Sequence, residues 1–555
     1  MAPLTAIALP VTVQSVLAAR IDRLGPDDKR LLQSASVIGK NFALLLLSEV
    51  AEMDADTLQS GLENLRNAEF IYETRLFPDP EYTFKHALTH DVAYAGLLAE
   101  RRRMLHANIL EAIERLHADR LIEHIDRLAY HAGRGEVWHK AHKYGLQAGR
   151  KALAQSANRA SLEAFQSALA ALEHLPETTE AIAENIDLRF ELRDAHFVLY
   201  EMAPILPHLE KAKALAERIG DQRRLALAAV SESGHHWAEG RRDLAAAAGT
   251  RALAVAEELD DWELRALAHY RIGQARLFLG DHAAAAAHLR RGIAALDHED
   301  GRALFRFGGL LLAFITSFLA WTLAEIGEFA ESETVGLTGF ELAVKANHAY
   351  SISCASFGLA RGYLRKGCFA DAIRILEQGL EQTKLHSVEA ATDAVRAPLA
   401  YAYFRAGRPE EARKLAEGHE RLPGLPTFIS GIYFLVPALG LTPERIDTAA
   451  VVVSDAYVIA SMRNERETIA WLEHLLGDIA MAIDPPDISG AEGHYRTAAR
   501  IATELGMRPL LMECHLSLGV AARGDGREVD AQSEIKLALE IANETGIVSA
   551  SDAAI

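Results

Sequence analysis

The chain has 555 residues and half of them are hydrophobic, so it is too long for one core and too apolar for a disordered protein. The formal net charge of -19 argues against a general nucleic-acid surface, because phosphate binding needs clustered lysine and arginine. The three cysteines, Cys354, Cys368 and Cys514, have no metal-site spacing and predict no disulfide framework, which fits a reducing cytoplasm.

The first part of the chain predicts a small helical unit with a β-hairpin. Amphipathic patterns predict helices over 13–24, 26–38, 42–52 and 55–68. The period then changes, and residues 70–75 and 81–84 flank the breaker FPDP as in a short β-hairpin. Further helices are predicted from His86 and over 101–116. Three helices and a hairpin predict a winged-helix-like domain over residues 1–130.

A helix-pair pattern recurs along the rest of the chain. Its cleanest copy, residues 359–380, has small residues at Ala360 and Ala372, an aromatic wedge at Tyr363 and a tight turn at Gly367. The alanines are small because two helices touch there. The same offsets recur at Gly273, Gly280, Ala285, Tyr403, Gly407, Ala412, Gly519 and Ala531. One pair cannot bury its own apolar face, so the pattern predicts stacked tetratricopeptide repeats with a binding surface.

The predicted architecture is therefore all-α, a winged-helix-like unit followed by a tetratricopeptide-repeat α-solenoid. We expect the repeats to begin near Trp138, with a first helical repeat and its connector over 131–180. The repeat superhelix is predicted over 181–548, and residues 549–555 are predicted to be a frayed tail.

Two apolar stretches resemble membrane spans in composition. Phe307–Ala324 has no charged residue but contains Gly308 and Gly309 and continues into a repeat turn, so we interpret it as a buried repeat helix. Leu422–Pro443 contains three prolines and is predicted to be an irregular connection. The first ten residues lack the basic start of a secretory signal, and no membrane partner is expected.

Few residues have the spacing of a catalytic or metal site. The E-x-x-H pairs beginning at Glu114, Glu136 and Glu232 match part of a di-iron bundle pattern, but no second set of glutamates accompanies them. With 23 histidines in the chain, such pairs arise by chance. We therefore predict no metal and no catalytic residue.

Four segments carry a family resemblance. They are LPVTVQSVLAARIDRLGPDDKRLLQSASVIGKNF, YTFKHALTHDVAYAGLLAERRRMLHANILEAIE, SANRASLEAFQSALAALEHLP and LGMRPLLMECHLSLGVAARGDG. In this order they resemble the C-terminal part of bacterial multidomain signal-transduction ATPases of the adenylate/guanylate cyclase-associated type. The resemblance implies an upstream ATPase domain followed by a winged helix and tetratricopeptide repeats.

The resemblance also sets expectations about chemistry. The phosphate-binding pattern G-x-x-x-x-G-K-[ST] does not occur in this sequence, nor is there room for a cyclase domain, so this chain is predicted to be no enzyme. It is expected to hold no cofactor, with ATP or ADP bound only by an ATPase domain supplied upstream or in trans. His86 lies where relatives place a histidine that contacts a nucleotide phosphate, although Ala87 stands where those relatives have an aspartate.

The main hypothesis is a non-enzymatic, cytoplasmic regulatory module. Its repeats would bind a protein, peptide or small effector, and its winged helix would dock on a nucleotide-binding domain. One alternative is a fragment of a full-length class III adenylate or guanylate cyclase. A second alternative is a transcription regulator, which the acidic charge disfavours.

Overall fold

The computed structural model describes residues 11–75, 79–199, 201–386, 388–417, 431–442 and 444–548. The predicted tail at 549–555 and most of the proline-containing connection lie outside this part. The chain divides into two compact units. The first runs to Ala152 and includes Ala160–Ala181, and the second comprises Leu153–Arg159 and the chain from Ile182 onwards.

The first unit combines short helices with a three-stranded sheet. Its elements are α1 (Val11–Asp22), α2 (Pro26–Ile38), β1 (Asn41–Ala43), α3 (Leu44–Val50), α4 (Ala55–Asn67), β2 (Ile71–Arg75), β3 (Glu81–Phe84), α5 (Ala87–Ala95), α6 (Ala99–Leu116), a 3-10 turn (Leu121–His124) and α7 (Ile125–Arg134). Two helices, α8 (Trp138–Ala154) and α9 (Asn158–Leu172), follow. Asp54 begins α4 by accepting a hydrogen bond from the Thr57 amide at 2.9 Å.

The sheet is antiparallel with the strand order β1-β3-β2. The predicted hairpin is confirmed, because β2 pairs with β3. The helix predicted from Phe42 is wrong at its start, since Asn41–Ala43 pairs with β3 and the helix begins at Leu44. Burial explains the strand: the Phe42 ring stacks on Tyr82 at 5.9 Å between centroids.

The second unit is built mainly from antiparallel helices. They are α10 (Thr179–Val198), α11 (Ile205–Ile219), α12 (Gln222–Ala238), α13 (Arg242–Glu258), α14 (Trp262–Phe278), α15 (His282–Ala295), α16 (Glu299–Arg302), α17 (Leu311–Ile326), α18 (Phe329–Lys345), α19 (Ala349–Lys366), α20 (Phe369–His386), α21 (Glu389–Arg405), α22 (Pro409–Ala416), α23 (Ile432–Leu439), α24 (Ile446–Met462), α25 (Arg466–Ala482), α26 (Ile488–Leu505), α27 (Arg508–Gly524) and α28 (Glu528–Thr545).

Consecutive helices form hairpins whose turns are defined by glycine and aspartate. The pairs α12/α13, α14/α15, α17/α18, α19/α20, α25/α26 and α27/α28 pack closely. Gly327 and Gly367 end their helices in the left-handed conformation, with φ of 87° and 90°. Asp261 and Asp281 cap the helices that follow them. The second unit is thus a tetratricopeptide-like α-solenoid.

Two predictions about apolar stretches need correction. The buried helix expected over Phe307–Ala324 exists, but it begins at Leu311, because Phe305–Arg306 (β4) pairs with Gly309–Leu310 (β5) as a two-stranded ribbon before it. The predicted irregular connection is wrong for Ile432–Leu439, which is helix α23 despite an internal proline. Burial of apolar side chains in α23 outweighs the hydrogen bond that the proline cannot donate.

Among the residues that the structure describes, every helix is too short or too polar to cross a lipid bilayer.

Candidate functional site

The second unit contains a cavity lined mostly by aromatic rings. Water-sized molecules have about 70 Å³ of room inside it, within a recess of about 740 Å³ that includes its opening to solvent. Helices α14, α17, α19 and α21 contribute most of its lining, and the rings include Trp237, Tyr270, Phe307, Phe314, Phe318 and Tyr350. A concave space lined by apolar rings with few polar groups has the lining that is usual for a small-ligand site.

The ribbon before α17 places one of these rings. Phe307 and Gly308 occupy its two-residue turn with φ of 57° and 78°, a conformation that is costly for a phenylalanine. The Phe307 amide donates a hydrogen bond to the Asp194 carboxylate at 2.9 Å, which fixes the turn against α10. The Phe307 ring then lies 3.9 Å from the centre of the Arg271 guanidinium.

Arg271 brings a positive charge into the cavity wall. Its side chain is 5% exposed, and its Nη1 donates to Gln274 Oε1 at 2.9 Å. Its Nε has no acceptor among the described residues, and no carboxylate of that part lies within ion-pair distance. A second buried arginine, Arg193, pairs with Asp194. The two arginines and one aspartate leave an excess positive charge at this wall.

Burial changes the ionisation of the groups around the cavity. Burial, together with the neighbouring Arg193, lowers the pKa of Arg271 to about 10, yet the guanidinium stays charged at neutral pH. Burial also raises the pKa of Tyr270 to about 12 and that of the Cys354 thiol to about 12. The cavity therefore offers a cation beside neutral rings and hydroxyls.

A line of buried contacts, here called the seam, joins the earlier repeats to the later ones. On the earlier side it consists of the turn residues Gly240, Arg242, Gly280, His282 and Gly327, and on the later side of Arg463, Glu465, Glu467, Leu505 and Thr545. Arg242 binds Glu465 with its Nε at 3.2 Å, and both side chains are fully buried. The His282 ring contacts the Leu505 carbonyl at 3.1 Å and Glu467 at 3.4 Å.

Two buried glutamates, Glu325 and the seam residue Glu467, lie beside the arginines of α19. Glu325 binds Arg361 at 3.2 Å and Arg365 at 3.0 Å, and it accepts from Trp471 Nε1 at 3.0 Å. Burial opposes its ionisation, but the two arginines outweigh that effect and lower the pKa of Glu325. Burial together with the charge of Glu325 instead raises the pKa of Glu467.

A stack of rings connects the cavity to the seam. Phe318, which lines the cavity, stacks on Trp321 at 5.7 Å between centroids. The Trp321 Nε1 donates to Glu467 Oε1 at 3.2 Å, and its ring lies 3.8 Å from the Arg361 guanidinium. A continuous line of packed side chains therefore runs from the cavity to the seam.

A second cavity, of about 670 Å³, lies between α21, α23, α25 and α27. Its cations are paired, since Arg365 binds Glu325 at 3.0 Å and Arg405 lies 3.6 Å from Glu513. It thus lacks the excess charge of the aromatic cavity.

The structure places the predicted repeat positions at helix contacts and turns. Gly280, Gly367 and Gly407 take left-handed φ values of 81°, 90° and 74°. A β-carbon on Gly273 would lie 2.6 Å from Leu289, and one on Gly519 would lie 2.7 Å from Ile535. The alanines Ala285, Ala360, Ala372, Ala412 and Ala531 have no exposed surface. Tyr363 and Tyr403 donate to Glu333 at 3.1 Å and Glu377 at 2.5 Å.

His86 lies in the first unit, directly before α5. Its side chain is exposed, and its carbonyl accepts from the Thr89 amide at 3.0 Å as the helix begins. The E-x-x-H pairs have other partners: Glu114 binds Lys140 at 2.7 Å, and Glu232 binds Lys213 at 3.0 Å. Over the described ranges, no three histidine, cysteine or carboxylate side chains are grouped to hold a metal ion.

Sequence reasoning missed the cavity and the seam. Arg271 and Gln274 lie in α14, which is buried on nearly every face, and a charged residue there was the available signal. The fully buried Glu325 inside the apolar α17 was a second. Neither signal identifies a partner, because the groups that surround these residues come from distant segments.

Comparison with known proteins gives weak similarities. No protein-family model matches the sequence, and a search of curated proteins found no match. A Rap protein complexed with competence and sporulation factor is 14% identical with a TM-score of 0.47, over 66% of this chain and 99% of that chain. The apo quorum sensor NprR from B. thuringiensis is 12% identical with a TM-score of 0.42, over 66% and 99%.

A signal transduction ATPase with numerous domains and a tetratricopeptide repeat sensor, from Pyrococcus horikoshii, is 10% identical with a TM-score of 0.35. That similarity covers 94% of this chain and 64% of the other. These similarities are too low to transfer a function, so function has to be inferred from the cavity and the seam.

Proposed function

We propose that this chain is a non-enzymatic regulatory module of the cytoplasm whose repeats bind a protein, peptide or small effector. The observation that carries the proposal is the ring stack from the aromatic cavity to the seam, through Phe318 and Trp321 to Glu467. The cavity is connected to the seam, and the seam joins the earlier repeats to the later ones. Such a site is suited to sensing a ligand rather than to catalysis.

Regulation requires two states with different affinities. A ligand shifts an equilibrium only by its differential affinity for the two states. In the proposed mechanism, the ligand of the repeats has different affinities for the state with a closed seam and the state with an opened seam. The charged groups of the seam suit such a switch, because buried ion pairs are costly to expose singly and are made or broken together.

The first unit is proposed to dock on a nucleotide-binding domain. The element order α2, β1, α3, α4, β2, β3 with β3 central supports a winged-helix-like arrangement. The exposed His86 is proposed to donate a hydrogen bond to a phosphate of ATP or ADP on that domain. This follows the resemblance to cyclase-associated signalling ATPases. A His86→Ala change that leaves nucleotide affinity of the reconstituted complex unaltered would remove this role.

A disulfide across the seam tests the regulatory role. A β-carbon on Gly327 would lie 3.6 Å from that of Thr545, within the range of a disulfide. We expect the oxidised Gly327→Cys/Thr545→Cys protein to capture partners from cells that produce it with an affinity changed by about fivefold or more relative to its reduced form. Quantitative mass spectrometry of the captured proteins measures the change.

The reduced double variant and the two single cysteine variants are matched controls. The left-handed φ of Gly327 makes a cysteine there cost roughly 1 kcal/mol, and the cost is common to both redox states. Equal capture by the oxidised and reduced proteins would contradict the proposal. So would turnover of ATP or GTP by the purified chain alone, which would favour the cyclase alternative.

A further inference from the structure

The wall of the aromatic cavity has a positive charge that the surrounding protein does not balance. Arg193 is paired with Asp194, whose second oxygen accepts from the Phe307 amide at 2.9 Å. Arg271 has Gln274 as its polar partner and the Phe307 ring on its face, and both are neutral. The two guanidiniums also lie close together, since a β-carbon on Gly234 would be 2.8 Å from Arg271 Cζ and 2.9 Å from Arg193 Nη2.

An unbalanced buried charge destabilises the folded protein unless a bound ligand compensates it. A buried cation without a carboxylate bears its full desolvation cost, and a neighbouring cation adds repulsion. A structural role would be served as well by an apolar side chain of similar size. An anion entering the cavity would balance the charge and supply the acceptor that Nε lacks among the described residues.

Several other polar groups of the lining are already engaged. Ser353 donates to the Ala349 carbonyl at 2.9 Å, and Ser317 donates to the Cys354 carbonyl at 2.6 Å. Gln274 Nε2 donates to the Tyr270 hydroxyl at 3.3 Å. Arg271 is the charged group of the lining whose Nε lacks an acceptor among the described residues, so it can orient an anionic ligand, and the rings of the wall favour an apolar body.

We propose that the cavity binds a monocarboxylate with an apolar, preferably aromatic, body whose carboxylate pairs with Arg271. The excess of one positive charge matches a single carboxylate better than a phosphate dianion, and a planar guanidinium binds carboxylates bidentately. The rings provide stacking surface for the body. This assignment rests on the proposed effector role of the repeats, and it specifies the ligand class.

Matched acids and amides test the charge recognition. Isothermal titration calorimetry with the full chain would compare phenylacetate with phenylacetamide and octanoate with octanamide. We expect each acid to bind at least about tenfold more tightly than its amide, because a hydrogen bond to a charged carboxylate is stronger than one to a neutral amide. Equal binding of acid and amide, or no binding by either, would overturn the proposal.

The carboxylate could belong to a free acid or to the C-terminus of a peptide. A short peptide ending in phenylalanine, with a free or an amidated C-terminus, distinguishes these sources in the same titration. Tighter binding of the free-terminus peptide than of phenylacetate assigns the site to peptide C-termini, and the reverse order assigns it to small acids. Either order supports carboxylate recognition.

Arg271→Met separates a ligand role from a structural one. We expect this variant to weaken binding of the acids by about tenfold to a hundredfold while the ligand-free protein keeps or raises its melting temperature, since an uncompensated buried charge is removed. Arg291→Met, at an exposed position of α15, is the matched control and should leave binding unaltered. A lower melting temperature with acid binding retained would mean that Arg271 is structural.

A variant that narrows the cavity gives an independent check. Ala394 lines the cavity and is half-buried, so Ala394→Phe should fill the space and reduce acid binding by about tenfold or more. Ala247→Phe on the exposed face of α13 is the control. If acids bind Ala394→Phe as well as the unaltered chain, they bind elsewhere. If acids fail to bind while the seam disulfide still changes partner capture, the ligand class is wrong and the regulatory role stands.

Discussion

Each unit contains a few ionisable side chains that are buried, and burial disfavours their charged forms. In the second unit these are Glu325 and Arg271, one balanced by arginines and the other not. In the first unit they are His106 and His131, whose Nδ1 atoms lie 2.9 Å apart in the core. The free energy of unfolding therefore depends on the ionisation of these side chains, which changes with pH or with a bound ligand.

The histidine pair predicts an acid sensitivity of the first unit. Burial lowers the pKa of His106 to about 4 and that of His131 to about 3, with Arg134 and Arg102 adding to the shift at His106 and Arg127 at His131. Above the unfolded value of about 6.5 both states are neutral, so the full stability is present. As the pH falls from 6.5 towards 4, the unfolded chain takes up protons that the folded pair refuses, and stability is lost.

We expect the first unit to lose on the order of 3 kcal/mol between pH 7 and pH 5, with each histidine contributing up to about 2 kcal/mol. Urea titrations with pulsed hydrogen exchange at a fixed labelling pH, read on peptides from α6 and α7, measure this loss. The His106→Gln/His131→Gln variant should show a flatter dependence over the same range. A double variant with the same slope as the unaltered protein would contradict the role of the pair.

At the scale of helices, small residues decide how closely neighbours pack. A β-carbon on Gly358 of α19 would lie 2.2 Å from the backbone carbonyl oxygen of Ser317 in α17. A backbone atom cannot move aside as a flexible side chain can, so the two helices would have to separate. Gly493 of α26 is exposed, and a β-carbon there would meet no atom within 4 Å.

These two glycines provide a matched pair of substitutions with opposite signs. Gly358→Ala should destabilise the second unit by about 1–3 kcal/mol through overpacking. Gly493→Ala should stabilise it by up to about 1 kcal/mol, because alanine is the better helix former. Midpoints of urea unfolding followed by circular dichroism measure both changes. If Gly358→Ala leaves the free energy of unfolding unchanged, α17 and α19 pack less closely than in this structure.

At the scale of the whole molecule, the second unit is more than a row of neighbouring hairpins. In a simple repeat array each hairpin contacts only its sequence neighbours. Here the seam brings Arg242 to Glu465 and Trp321 to Glu467, which are 223 and 146 residues apart in the chain. The later repeats should therefore unfold together with the earlier ones and not independently.

Removing one partner of a buried ion pair in the seam should lower the free energy of unfolding more than replacing both partners by apolar residues does. Glu465→Ala removes the carboxylate that Arg242 binds, with Arg463 also nearby at 3.9 Å, and should cost about 3–5 kcal/mol. Arg242→Met/Glu465→Leu should recover much of that loss. Hydrogen exchange of α13 and α25 reports the opening of the seam. Asp371→Asn, which alters an exposed pair with Arg374, is the control and should change stability by less than about 1 kcal/mol.

Local rules in the sequence determined the repeats. The spacing of Ala360, Gly367 and Ala372 predicts touching helices and a tight turn, and the structure has α19 and α20 joined at a left-handed glycine. The hairpin of β2 and β3 was likewise predictable from a change of period around a breaker. Such signals suffice because the residues involved are neighbours in the chain or lie one helix apart.

The tertiary structure alone decided β1, the ribbon before α17, the helix α23, the cavity and the seam. Asn41–Ala43 and Phe305–Arg306 are too short to show a period, and Ile432–Leu439 is helical because burial outweighs its proline. Arg271 meets Phe307 and Asp194 meets the Phe307 amide through segments that are distant in sequence. Pairing over such separations depends on how each hairpin is rotated against the next, and the repeat pattern does not encode that rotation.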